Sequence, residues 1–400
     1  MMRRVVVTGM GIWSCIGQDL QTVTESLRQG RSGIIFDPKR IEYGLQSGLV
    51  GNVPRPDLKP LLPRKFRATM SEDTEYAYMA ARQAFEQAGI SDEYLRQNEV
   101  GVIWGHDGNS EQVEMAQIME KEKNSLMIGP YQMVKSGAST VVVNFNSIFH
   151  LKGTSFSIAA ACASSSHSIG VSTMLIKQGI QDIMLVGGSM EVENLVYTTQ
   201  LDALGILSLT RSCPFDKKRD GFVISGGGAA LVLEEYEHAK ARGVNILAEV
   251  LGYGFSSNDI GNISNADNKA EYQAMCQAVE KAKIMPCNID YVNAHGTSTH
   301  QGDLEEAKAL TRLFGSKSFI SSTKSMTGHE CWMAGASEAI YSILMMQNNF
   351  VAPNINLEDV IDEAKDLNIA RETIYAPINT VLSNSSGMGG TNSALIFRKL

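Results

Sequence analysis

TSFSIAAACASSSHSIG, residues 154–170, runs from small and β-branched residues into Cys162 and continues through Ala, Ser, His and Ile positions that suit a helix. The pattern predicts a strand that hands over to a helix at the cysteine, which is the basic step of an α/β protein. A helix N-terminus carries unpaired N–H groups and partial positive charge. It favours thiolate over thiol and can hold a developing oxyanion. A buried structural cysteine among small residues would look the same at this level. The segment alone leaves both readings open.

Working outward, 400 residues with 44% hydrophobic content can bury a large core. The net charge of −8 provides no excess of cations to neutralise phosphates, so a general nucleic-acid binder is excluded. The cysteines at 15, 162, 213, 276, 287 and 331 form no CxxC pair and no compact disulfide framework, which fits a reducing, cytoplasmic setting. No window holds the roughly 20 uninterrupted apolar residues of a membrane span. The N-terminal apolar run is broken by Gly9, Gly11 and Gly17 and reads as a first strand and turn rather than a signal peptide.

Strands are expected at Val5–Thr8, Glu99–Gly105, Asp182–Gly187 and Ala229–Glu234, with a core helix between Ser71 and Gly89. Ser139–Leu151 reads as an apolar helix or other buried segment. A second round follows: strands at Ile246–Tyr253, Ile289–Ala294, Phe319–Ser321, Thr380–Asn384 and Ala394–Arg398, and helices at Asn268–Lys283, Asp303–Phe314 and Gly335–Gln347. The repeated order argues for α/β sheets covered by helices. The Gly9-Met10-Gly11 stretch is a damaged GxGxxG that suits a tight turn, and Gly226-Gly227-Gly228 lacks the Lys-Ser/Thr of a phosphate loop and suits close packing.

His295, with Thr297 and Thr299, follows one of the later strands, and Lys324 and His329 follow the next. Strand ends are where α/β proteins build sites. Cys162, His295 and His329 lack the short spacings of structural zinc, so no metal is expected. A cysteine hydrolase needs one histidine and leaves His329 and Lys324 idle. A thiolate that accepts an acyl group, with two imidazoles to stabilise an enolate oxygen, uses them all.

The motifs RRVVVTGMGIWSCIG, AACASSSHSIG, PFDKKRDGFV, NAHGTSTHQGD, STKSMTGH and SNSSGMGGTN occur in this order over nearly the whole chain. In this the chain resembles the elongating β-ketoacyl-[acyl-carrier-protein] synthases, condensing enzymes of the thiolase superfamily. The resemblance implies a thiolase-like five-layered α/β/α/β/α sandwich of two similar βαβαβαββ halves, residues 1–245 with the nucleophile and 246–400 with the histidines. It implies decarboxylating Claisen condensation of malonyl-acyl carrier protein with an acyl group carried on Cys162, in fatty acid or polyene/polyketide-type chain elongation. It also implies a homodimer, with a heterodimer as the variant form.

By the same resemblance the backbone N–H groups of Cys162 and Met388 would hold the oxyanion, beside Gly389 of the glycine-rich loop. His295 and His329 would hold the malonyl thioester carbonyl as carbon dioxide leaves. Lys324 supports that site, Glu338 matches its ion partner, and Asp303 and Glu306 match structural acids. Thr297 and Thr299 match the hydroxyls that hold the phosphopantetheine arm, which arrives on acyl carrier protein; no bound cofactor is implied. Arg64, Lys65 and Arg67 match the basic patch that meets the acidic carrier.

The chain departs from the family pattern at three places. Ser386 and Met388 stand where two phenylalanines are usual, Glu330-Cys331-Trp332-Met333 interrupt the G-H-x-x-G-A-A-G pattern, and His300 replaces a common proline. Those changes point to a substrate other than ordinary saturated chains, such as a polyene or polyketide-type intermediate. A non-catalytic chain-length-factor subunit is the alternative. Its usual mark is loss of the nucleophile, and Cys162 is present.

Overall fold

The β-branched run that begins at Val5 does not stop at Gly9. Strand β1 spans Val5–Trp13, so the glycines expected at a turn lie inside the strand. They serve close packing instead: a Cβ on Gly9 would meet the Ala84 carbonyl at 2.1 Å, and one on Gly11 would meet the Ala80 carbonyl at 2.0 Å. Helix α1 (Glu72–Gln87) therefore rests directly on β1, with Ala77, Ala80, Ala81 and Ala84 buried in the contact. The computed structural model describes residues 3–192, 195–259 and 266–400.

The remaining main strands of the first half are β2 (Gly101–Gly105), β3 (Ser155–Ile158), β4 (Ile183–Met190) and β5 (Gly227–Glu235). Those of the second are β6 (Ala248–Ser257), β7 (Tyr291–Asn293), β8 (Phe319–Ser321), β9 (Thr380–Gly387) and β10 (Thr391–Arg398). Their spatial orders are β1-β5-β4-β2-β3 and β6-β10-β9-β7-β8, which is one permutation used twice. The strand directions repeat as well: two antiparallel pairings and then two parallel ones. The halves join where β1 pairs antiparallel with β6 through Val6–Glu249 and Val7–Ala248. A short strand, Asn368–Ile369, extends the far edge of the second half.

The other main helices are α2 (Thr140–Phe149), α3 (Ser164–Lys177), α4 (Asn268–Ala282), α5 (His300–Phe314) and α6 (Ala334–Asn348). Helices α3 and α6 touch each other and strands of both halves, so they form the central layer. On the outside, α1 with α2 covers the first sheet half, and α4 with α5 covers the second. This is the five-layered sandwich of two similar halves.

The serine run after Cys162 is packing material for that central layer. Ser165 Oγ accepts a hydrogen bond from the Ala336 N–H at 3.0 Å, and Ser166 and Ser393 hydroxyls pair at 2.7 Å. A Cβ on Gly335 would lie 2.5 Å from Ser166 N. Small residues thus let the first turns of α3 and α6 approach at backbone distance. Each helix is entered through the same kind of turn, with Ala161 and Cys331 both at φ 47°. The residues that follow, Cys162 and Trp332, therefore hold equivalent places in the two halves.

Candidate active site

Cys162 sits in a one-turn 3₁₀ segment, Ala161–Ala163, between β3 and α3. Ser164 Oγ accepts the Ala160 N–H at 2.8 Å and fixes the turn. The backbone N–H groups of Met388 and of Cys162 itself lie near enough to the sulfur to favour its thiolate. Burial pushes its thiol up to about 11, against the opposing pull of the Lys324 ammonium and those N–H groups. The expected preference for thiolate is thus overridden, because loss of solvent outweighs the helix terminus. The resting group is a thiol.

His329 is anchored through its backbone. Its N–H donates to the Val223 carbonyl at 2.7 Å, and its carbonyl accepts the Ser225 N–H at 3.0 Å. Its Nε2 lies 3.0 Å from Cys162 Sγ. His295 follows β7, and its ring lies 5.3 Å from that of His329, edge to face. Burial, with the Lys324 charge nearby, holds both imidazoles well below the ordinary histidine range, so both are neutral at pH 7.

Lys324 is buried in the short helix Lys324–Thr327 after β8 and pairs with Glu338 of α6. Its ammonium also lies 3.4 Å from His295 Nδ1. An ammonium only donates, so Nδ1 accepts and the proton of neutral His295 belongs on Nε2. Burial pushes Glu338 up to about 7 although Lys324 opposes it.

The two acids of α5 hold the histidine loop. Glu306 accepts from the N–H groups of His295 at 2.7 Å and Gly296 at 2.6 Å, and from Asn384 at 2.8 Å. Asp303 accepts from Phe215 N at 2.7 Å and Ser298 N at 2.9 Å, which fastens Ser298 in its left-handed conformation at φ 70°. Thr297 and Thr299 share a 2.9 Å hydrogen bond at the wall of the same chamber.

Cys162, both histidines, both threonines, Met388 and Gly389 line one cavity of about 320 Å³. Lys324, Glu338 and Asp303 stand behind that wall, whereas Glu306 reaches it. Arg64, Lys65 and Arg67 lie on a separate short surface helix and do not line the cavity. Trp332, at the place equivalent to Cys162, is buried against the Tyr197 ring at 5.1 Å and faces His106 at 6.3 Å. Met388 is half-exposed at the cavity rim. Among the described residues there is no group of three or more His, Cys, Asp or Glu able to hold a metal ion.

The sequence profile of the "Beta-ketoacyl synthase, N-terminal domain" matches residues 2–239, and that of the "Beta-ketoacyl synthase, C-terminal domain" matches residues 247–358. The chain belongs to the beta-ketoacyl synthase family. This ketosynthase is 42% identical, over an alignment of 410 positions that covers the full length of both chains, to 3-oxoacyl-[acyl-carrier-protein] synthase 1 of Escherichia coli K12. A solved beta-ketoacyl synthase from Burkholderia phymatum matches it with a TM-score of 0.94 at 35% identity, covering all of both chains. The structure of the ishigamide ketosynthase/chain length factor does so with a TM-score of 0.93 at 27% identity, again over all of both chains. The ketosynthase fold is thus that of the thiolase superfamily, and the protein is an acyl-transferring condensing enzyme.

Sequence reasoning about the ketosynthase missed Tyr197, Phe222 and Glu271, all of which line the chamber. Glu271 had a detectable signal. It lies on the apolar stripe of α4 with Ala274, Met275 and Ala278, where a glutamate breaks the helical period.

Proposed function

We propose that the protein condenses an acyl group carried on Cys162 with malonyl-acyl carrier protein, releasing carbon dioxide and a β-ketoacyl-acyl carrier protein. The observation that carries this reading is the 3.0 Å contact of a neutral His329 Nε2 with Cys162 Sγ, with a second neutral imidazole facing it. As the sulfur attacks the acyl thioester, its proton passes to His329 Nε2. The N–H groups of Cys162 and Met388 hold the tetrahedral oxyanion. Its collapse expels the phosphopantetheine thiolate, which takes a proton from solvent, so that Nε2–H stays on His329.

In the second step the malonyl thioester oxygen accepts a hydrogen bond from His295 Nε2–H, whose tautomer Lys324 sets, and another from the Nε2–H that His329 gained in the first step. Carbon dioxide leaves and an enolate forms. Its carbon attacks the acyl-cysteine, the C–S bond breaks, and the thiolate of Cys162 takes its proton back from His329 Nε2. Glu338 keeps Lys324 in place, Asp303 and Glu306 shape the loop, and Thr297 and Thr299 hold the phosphopantetheine arm beside Met388 and Gly389. No bound cofactor enters this scheme.

The same reading divides the chain into halves at residues 245 and 246 and assigns carrier docking to Arg64, Lys65 and Arg67. It gives a cytoplasmic enzyme; no helix among the described residues is long and apolar enough to cross a membrane. A homodimer is supported by β3, an edge strand with Phe156 40% exposed, and by Leu126 and Met133, exposed at 85% and 81%. The relatives named 3-oxoacyl-[acyl-carrier-protein] synthase support elongation in fatty acid synthesis, and Trp332, Ser386 and Met388 support a polyene or polyketide-type chain as its substrate. Against a chain-length-factor role stands the nucleophile in its hydrogen-bonded setting. The test is Cys162→Ala: acyl transfer should vanish, with no acyl group detectable on the intact protein by mass spectrometry, and retained condensation would overturn the proposal.

A further inference from the structure

We infer that Glu271 and Ser386 form a polar subsite in the substrate chamber, which takes a carbonyl or hydroxyl oxygen carried on the acyl thioester. The inference rests on the condensing reaction proposed above and specifies its substrate class.

Glu271 does not serve its own helix terminus. Asp267 caps α4 by accepting the Lys269 N–H at 3.0 Å, and Glu271 turns inward until 2% of it is exposed. It reaches the chamber wall, and its Oε2 has no hydrogen-bond partner among the described residues. Ser386 lines the same chamber, and its buried Oγ is likewise without a partner. The hydroxyl is near enough to act on the Glu271 carboxyl but completes no hydrogen bond with it. Two buried polar groups left open side by side, in a chamber that already faces a substrate, are groups waiting for a ligand atom.

The class of that atom follows from the surroundings. Glu306, beside Glu271, is committed to three donors. Burial and the Glu306 charge keep the Glu271 proton in place well above the ordinary carboxylate range. A protonated carboxyl and a hydroxyl each offer one donor and spare acceptor capacity, which matches a neutral oxygen. An anion would meet Glu306. Residues 386 and 388 lie at most about 7 Å apart along an extended chain, and Ser386, Met388 and Cys162 line the same cavity, with the Met388 N–H near the sulfur. The oxygen therefore belongs a few bonds from the thioester and not at a distant tail. At the position of Ser386 the family pattern carries a phenylalanine, which offers no such partner.

The experiment uses purified full-length protein and matched carrier-protein thioesters: hexanoyl, 5-oxohexanoyl, 5-hydroxyhexanoyl and 6-aminohexanoyl. Selectivity is read both in acyl transfer to Cys162, by intact-protein mass, and in condensation with malonyl-acyl carrier protein. The oxygen-bearing chains should lead hexanoyl by about tenfold in kcat/KM, because a site built for a hydrogen bond rejects the analogue that lacks it. Glu271→Leu and Ser386→Phe should each bring that ratio near one, while Glu271→Gln, which keeps a donor and an acceptor, should retain it. Melting temperatures identify any variant that fails to fold, and the wild-type ratio still decides the matter. Equal acylation by hexanoyl and 5-oxohexanoyl, or preference for the amine, overturns the subsite. Selective acylation without condensation would sink the reaction instead.

Discussion

At Cys162 burial keeps the thiol protonated, so in the proposed reaction a neighbouring base has to share the proton during attack. His329 has the position and the neutral state for this, and Lys324 sets the tautomer of His295. Lys324 also neutralises a carboxylate inside the protein. Lys324→Ala should cost about 3 kcal/mol of stability, since it leaves Glu338 buried without its partner, and the Lys324→Ala/Glu338→Leu double variant should cost less. Equal losses in denaturant melts would contradict the pairing. Glu330 makes a second test at this scale. Burial pushes its carboxyl from 4.5 up to about 8, with Ser337 and Tyr341 donating to it. The stability linked to its proton is complete below about 4.5 and is lost as pH rises toward about 8. Glu330→Gln has no such loss, so its stability relative to wild type should climb between pH 5 and 8, by up to about 1.4 kcal/mol per pH unit. A flat difference in chemical denaturation across that range would refute the shift.

Among the elements, β1 and α1 show how a glycine is used without a turn. Gly11→Ala should destabilise by about 3 kcal/mol, because its Cβ meets a helix carbonyl that cannot move alone. Gly137→Ala, where the nearest atom would be 3.6 Å away, is the control, and thermal melts should separate the two. The Val5 strand, the α1 helix and the strand–turn–helix around Cys162 were all legible from periodicity and caps. The length of β1 was not, because only the helix packed on it shows why Gly9 and Gly11 are tolerated. In the same way, α5 begins at His300 rather than Asp303, since Thr299 can precede a helix whose first turn the hydrophobic pattern does not mark. Glu271 was passed over for a related reason: a single acid on an apolar stripe reads as noise until the chamber it faces is known.

For the molecule as a whole, the charge of −8 makes the exposed Arg64 and Lys65 stand out as a local exception. If they meet an acidic carrier, Arg64→Glu/Lys65→Glu should weaken carrier binding about tenfold at low salt and much less at 0.5 M salt, because exposed charges are screened. Salt-independent weakening, by titration calorimetry, would point to lost packing instead. The two-fold repetition of strand order was visible in the sequence as a repeated grammar, since hydrophobic periodicity is a local property. The proposed nucleophile Cys162, the two histidines and the lysine could also be picked out there, because each follows a predicted strand. Their meeting could not. Cys162 and His329 are separated by 167 residues and touch only because serines and glycines let α3 and α6 close to backbone distance. Protonation states belong to the tertiary structure as well. Burial keeps the thiol of Cys162, the neutral rings of His295 and His329 and the proton of Glu271, and burial arises when distant segments exclude water together.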